Sequence, residues 1–223
     1  VSGEPLATEK DTNEPISDAI FTINNAEGMQ GVYTTDANGI FVSNVDYLNG
    51  EFVIQNKTNV AGYVTPANVT VSAQDGKWTA NDGSDIDRVW DREAKKWIVE
   101  VPVYTEKNTL NIASYYNGEL LPGTTIIITD NGGTVLDTLD NTTGTLVVRG
   151  LLTGDYVIKQ IAPDGFVTQD AQAITITDTE ATYNVTFNND KTLVTVKTID
   201  SIGGWELEGV VVEMYDDDEL VAT

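Results

Sequence analysis

The chain has 223 residues, 40% of them hydrophobic, enough for one to two domains with ordinary packed cores. Its 35 Asp and Glu against 12 Lys and Arg give a formal charge of -23, a field that repels phosphate backbones and anionic headgroups and argues against nucleic acid and membrane partners. Without histidine or cysteine, the chain has no Ser-His-Asp or Cys-His nucleophile, no zinc site of the usual kind and no disulfide.

No apolar run approaches the roughly 18 residues of a membrane span, and the N-terminus lacks a basic-then-apolar leader pattern. On this reading the sequence is either intracellular or a piece of something longer, and composition alone does not separate the two.

In chain order, the first extended stretch is "EPISDAIFTI" (14–23). It runs towards "TTDANG" (34–39), where Asp36 caps its own turn and Gly39 supplies the positive φ of a tight reversal. "GEFVI" (50–54) and "WIVEVPVY" (97–104) read as further strands. Between them, residues 77–97 carry Trp78, Trp90 and Trp97 beside Asp82, Asp85, Asp87 and Asp91. Only "DREAKKW" (91–97) has helix-forming composition for even two turns.

Period-two alternation of Val, Ile, Thr and Tyr then marks strands at 124–130, 145–151, 173–178, 183–189 and 192–200, separated by "DNGG" (130–133) and "DNTTG" (140–144). The chain reads as all-β, in antiparallel sandwiches.

A repeat is written into this order. Gly50-Glu51-Phe52-Val53-Ile54 recurs as Gly154-Asp155-Tyr156-Val157-Ile158, and Gly62-Tyr63-Val64-Thr65 recurs as Gly165-Phe166-Val167-Thr168. Phe52, Tyr63, Tyr156 and Phe166 read as core or core-edge aromatics, and Pro163 with Gly165 makes the turn before Phe166. Two domains follow, at 1–105 with an enlarged 77–97 segment and at 106–190. A third copy is expected to begin at 191, where "ELEGVVVEM" (206–214) parallels "ELLPGTTIII" (119–128), and to stop at Thr223 after about two strands.

The segments "PISDAIFTI", "TTDANGIF" and "GEFVIQNKTNVAGY" in the first copy, and "LLPGTTIII", "GDYVIKQIAPDGF" and "VTFNN" in the second, resemble the Cna protein B-type domain, the prealbumin-like repeat of Gram-positive surface proteins and pilins. The resemblance implies immunoglobulin-like or prealbumin-like sandwiches in tandem, and a place on the bacterial cell surface or outside the cell. It also implies a non-catalytic stalk whose partners are the neighbouring repeats of the same polypeptide.

Many members of that family carry a spontaneous Lys–Asn isopeptide bond, promoted by a buried acid. In the second copy the three positions align with Ala113, Gln160 and Asn188, so a bond is not expected. In the first, Asn56 stands at the acid position, Lys10 is the nearest early lysine and the closing strand offers no matching Asn. Lys197 is the lysine in register in the third copy, with its partners expected past Thr223.

Two further readings attach to residues 77–97. Trp78, Trp90 and Trp97 beside carboxylates form a candidate contact surface for a host glycan or protein, against the plainer reading that they pack on the sandwich flank. Asp82, Asp85 and Asp87 with Ser84 are hard-oxygen candidates for calcium, although the loop lacks the EF-hand order. No other cofactor is implied. A third placement for the chain is as an accessory module beside a carbohydrate-active enzyme, and no pair of acids marks a hydrolytic site within it.

Overall fold

A computed structural model describes residues 2–10, 12–43, 50–93, 95–216 and 219–222. Two β-sandwiches follow one another along the chain, each closed by its own last strand.

The first uses β1 (Ser2–Glu9), β2 (Ile20–Asn25), β3 (Gly28–Thr34), β4 (Gly50–Thr58), β5 (Val69–Gln74), β6 (Lys77–Ala80), β7 (Arg88–Asp91) and β8 (Lys96–Thr105). One sheet has the order β3-β2-β4-β5-β6 and the other β1-β8-β7. Alternation sends Phe21, Ile23, Phe52, Ile54, Val71, Val101 and Val103 inward, where they are almost fully buried. The "TTDANG" turn forms as the sequence requires: Asp36 Oδ1 accepts the Asn38 and Ile40 N–H groups at 2.8 and 2.9 Å, and Gly39 takes φ 74°.

The second sandwich uses β9 (Thr109–Tyr116), β10 (Glu119–Leu120), β11 (Thr124–Asp130), β12 (Val135–Asn141), β13 (Thr145–Arg149), β14 (Gly154–Ile161), β15 (Gln172–Ile176) and β16 (Thr182–Asn188). Its sheets are β12-β11-β14-β15 and a group centred on β9, which pairs β16 on one side and β13 and β10 on the other. Leu110, Ile112, Ile126, Ile128, Ile158, Val185 and Phe187 make its core.

In both sandwiches the first and last strands lie side by side and run parallel: Ser2 to Glu9 match Ile98 to Thr105, and Thr109 to Tyr115 match Thr182 to Asn188.

One sequence expectation is corrected, and one segment of helix-forming composition turns out to be extended. The helix-forming "DREAKKW" is a β-hairpin connection, with Asp91 opposite Lys96, Trp90 opposite Trp97 and Lys95 at φ 52°; pairing of the flanking strands overrides local propensity. Residues 192–198 are not in a strand: among the described residues they make single hydrogen bonds, Thr192 N–H to Gly165 O and Leu207 N–H to Thr198 O, but no continuous ladder with a neighbour. Leu193 is 87% exposed there and Ile202 95%. A hairpin of β17 (Met214–Asp216) and β18 (Glu219–Ala222) follows, its tip at 217–218 lying outside the described residues.

Candidate functional sites

Backbone hydrogen bonds give the equivalence between copies independently of sequence alignment. Ile16 N–H donates to Ala7 O and Leu121 N–H to Ser114 O, at 3.0 and 2.8 Å. Ala7 and Ser114 therefore occupy one position, facing the interior in the two sandwiches. Pairing of Phe21 with Asn56 and of Ile126 with Gln160 equates those two amides.

In the second sandwich this position is the centre of a buried polar cluster. Ser114, Thr124, Asn141 and Gln160 are each at most 2% exposed. Gln160 Nε2 donates to Ser114 Oγ at 3.0 Å, Asn141 Nδ2 donates to the same oxygen at 3.4 Å, and the Thr124 hydroxyl lies 3.2 Å away. Among the described residues, the Oδ1 of Asn141 and the Oε1 of Gln160 have no hydrogen-bond partner. In the first sandwich the same region is Ala7, Ala19 and Thr35, with the Thr35 hydroxyl satisfied by Ile16 O at 2.7 Å.

The isopeptide candidates sit around, not in, this interior. The inward residues are Ser114 and the 4%-exposed Asn189, whereas Ala113 and Asn188 are their less buried or exposed neighbours. Asn189 Nδ2 donates to Tyr115 O at 3.2 Å. Lys10 is exposed, and Lys197 is an exposed lysine ion-paired with Glu206.

Among the described residues of the first sandwich the buried acid is Glu9, which the sequence reading missed: it is 1% exposed at the end of β1 and accepts from Thr12 N and Oγ1 at 2.8 and 2.5 Å. Those Thr12 hydrogen bonds, with a smaller contribution from the positive charges of Arg149 and Lys107, hold its carboxyl below the usual glutamate range despite burial.

Residues 77–97 divide. Trp78 is 3% exposed and packs edge-on against Phe52 at 6.0 Å, so it belongs to the core. Trp90 is 45% exposed on the β7–β8 hairpin, and the side chain of Trp97 lies outside what the structure describes. Asp82 accepts from Ser84 N and Oγ at 2.9 and 2.6 Å, which lowers its pKa, and Asp85 pairs with Lys77 at 3.0 Å. Among the described residues no three acids are grouped to share a metal ion.

Residues before β7 leave β8 and attach to β6 instead, through the Thr79–Asp85 bridge and Ile86 N–H to Trp78 O. The split opens a groove of about 470 Å³ with Val69, Ile86 and Tyr104 among its apolar lining and Asp82, Asp87 and Glu100 among its acids.

Between the sandwiches, the linker 106–108 is held by the "GYVT" segment of the first. Val64 N–H donates to Glu106 O at 2.8 Å, Asn108 N–H to Gly62 O at 3.1 Å and Thr65 N–H to Asp178 O at 2.6 Å. Lys107 Nζ lies 5.5 Å from the Tyr63 ring centre.

Two successive sandwiches, each with its own core and each with its first and last strands paired in parallel, define a tandem β-sandwich repeat protein. The SpaA prealbumin-like fold domain matches residues 6–84 and again 108–191, and the chain belongs to that family.

Among solved structures, the Bacillus anthracis TIE protein is similar at 19% identity and a TM-score of 0.40, over 85% of this chain and 34% of that one. A C-terminal fragment of the pilus adhesin SpaC from Lactobacillus rhamnosus GG aligns at 13% identity and a TM-score of 0.45, over 87% of this chain and 99% of the fragment. The shaft pilin SpaA of the same organism aligns at 14% identity and 0.35, over 87% and 98%. The chain thus spans about a third of the Bacillus anthracis relative. No curated protein sequence matches it.

Proposed function

We propose that the chain is a non-catalytic, load-bearing stalk segment of a bacterial surface adhesin or pilin-like protein. Its units are 1–105 and 106–190, with the start of a third at 191–223, and its partners are the neighbouring repeats of the same polypeptide. The observation that carries this is the parallel pairing of first and last strands in both units. Tension on the two ends of a unit pulls these neighbours past each other, so the ladder hydrogen bonds are loaded together in shear instead of opening one at a time.

Single-molecule pulling tests the reading. Rupture of the second unit frees about 80 residues (Thr109–Asn188), roughly 260–290 Å of extended chain, less about 20 Å already spanned by the paired strands. The first unit (Ser2–Thr105) gives a step of about 320–350 Å by the same reckoning. Extension without two discrete steps would remove the load-bearing role.

A second reading, favoured by the groove beside Tyr104 and by exposed Trp90, is that the first unit is itself a glycan- or host-protein-binding module, on an adhesin or beside a secreted carbohydrate-active enzyme. Binding to a glycan or host-protein array that disappears in Trp90→Ala and Tyr104→Ala with folding intact would support it. Unchanged binding in both variants would rule out this face.

A further inference from the structure

The contact between the first and second units is repeated, in part, after the second. At the first joint Asn108 N–H donates to Gly62 O, Val64 N–H to Glu106 O, and Tyr63 bridges Lys107. At the second, Thr192 N–H donates to Gly165 O at 2.9 Å, Val167 N–H to Asp190 O at 2.8 Å, and Phe166 bridges Lys191. Lys107 lies over Tyr63, and Lys191 lies 5.9 Å from the Phe166 ring centre and 5.4 Å from that of Tyr116. The end of each unit, Gly-aromatic-Val-Thr, thus grips an acid-lysine-polar tripeptide that leads onward.

The two joints differ at the third residue of that tripeptide. Asn108 is 2% exposed, and its side chain brackets the backbone of Leu151: Nδ2 donates to Leu151 O at 2.7 Å and Oδ1 accepts from Leu151 N at 2.9 Å. Gly150 N–H donates to the Asn108 carbonyl at 2.9 Å. One residue is therefore fastened three times to the second unit while its own N–H is held by the first. Gly62 completes the contact: it sits at φ 86°, and a Cβ there would lie 2.7 Å from Gly150 O. Thr192 at the second joint is exposed, and its short side chain ends in one hydroxyl, without the separate donor and acceptor atoms with which the Asn108 amide spans the N–H and C=O of one residue.

We propose that the Gly62–Thr65 end of the first unit is a docking surface for the leading end of another unit of the same fold, and that Asn108 is the positioning residue that fixes the angle between the two. The first joint is rigid, and Thr192 makes the second joint the more compliant of the pair. This deepens the stalk reading and rests on it.

The chain has no cysteine, so Ser72→Cys in the first unit and Thr138→Cys in the second, both exposed, place one spin label on each unit of the full chain. Pulsed dipolar spectroscopy then reads the inter-unit distance distribution, with circular dichroism confirming that both units are folded. The doubly labelled parent should give one narrow distance, and Asn108→Thr should at least double its width. Gly62→Ala, which removes no hydrogen bond inside the second unit, should shift or broaden the distance as well. A parent distribution as broad as that of Asn108→Thr overturns both the fixed joint and the stiff-stalk reading. A narrow parent with an unchanged Asn108→Thr overturns only the role of Asn108 and leaves the stalk standing.

Discussion

Replacing Ser114 by Ala removes one oxygen and strands several groups. Gln160 Nε2 and Asn141 Nδ2 both donate to Ser114 Oγ, and both residues are at most 2% exposed, so neither amide can turn to water. A buried polar group left without a partner costs roughly 1–3 kcal/mol. The 3.4 Å contact is the weaker of the two, so the single substitution should destabilise the second unit by about 2–4 kcal/mol. For a domain of this size that lowers Tm by about 10–25 °C.

The partner substitution makes the test specific. Gln160→Leu in the Ser114→Ala background removes the stranded amide and should return at least half of the loss, because an apolar pair needs no partners; Ala7 in the first unit already shows that an apolar side chain fits this position. Calorimetry reads both units. Tryptophan fluorescence reads only the first and the exposed tail, since the four tryptophans are Trp78, Trp90, Trp97 and Trp205. The expected result is a calorimetric transition that moves while the fluorescence transition stays. A loss below about 0.5 kcal/mol, or single effects that simply add in the double variant, would refute the reasoning about stranded donors.

Trp78→Ala should cost the first unit about 3–5 kcal/mol through its packing on Phe52, whereas Trp90→Ala should stay within about 0.5 kcal/mol; chemical denaturation of each variant checks the contrast. Glu9 is held below its ordinary pKa in the folded chain, so its stabilisation is fully present above the unfolded glutamate range near pH 4 and is lost as pH falls through the folded value. Glu9→Gln should accordingly be less stable than the parent at pH 7, with the gap closing on acidification below about pH 4; an equal gap at both pH values would contradict this. Intact mass under denaturing conditions should equal the sequence value, because the interior position carries Ala7 in one unit and Ser114 in the other; a deficit of about 17 Da, one ammonia, would reveal a Lys–Asn crosslink.

Strand alternation and the doubled "GEFVI" and "GDYVI" segments were enough to read the sandwich architecture from sequence, because inward Ile, Val and Phe at period two leave little choice of face. The reading of the polar interior slipped by one residue. Ala113 and Ser114 are both small, and Asn188 and Asn189 are identical in kind, so composition gave no parity; only the ladder hydrogen bonds show that the second of each pair faces in.

Tyr63 and Phe166 were legible as core or core-edge aromatics, but not as grips on a linker lysine, since their partners lie 44 and 25 residues along the chain. The bracketing of Leu151 by Asn108 spans 43 residues and leaves no local pattern to find. The segment 192–200 failed for another reason: its alternation is real, yet a β-ladder needs a neighbour as well as a propensity.

Parallel pairing of the first and last strands also sets the polarity of each unit. The chain enters beside one end of the sandwich and departs from the other, so a duplicated segment would start at the far end of its parent. Repeat number then becomes a ruler that recombination can lengthen or shorten by whole increments, leaving the fold of every remaining unit untouched.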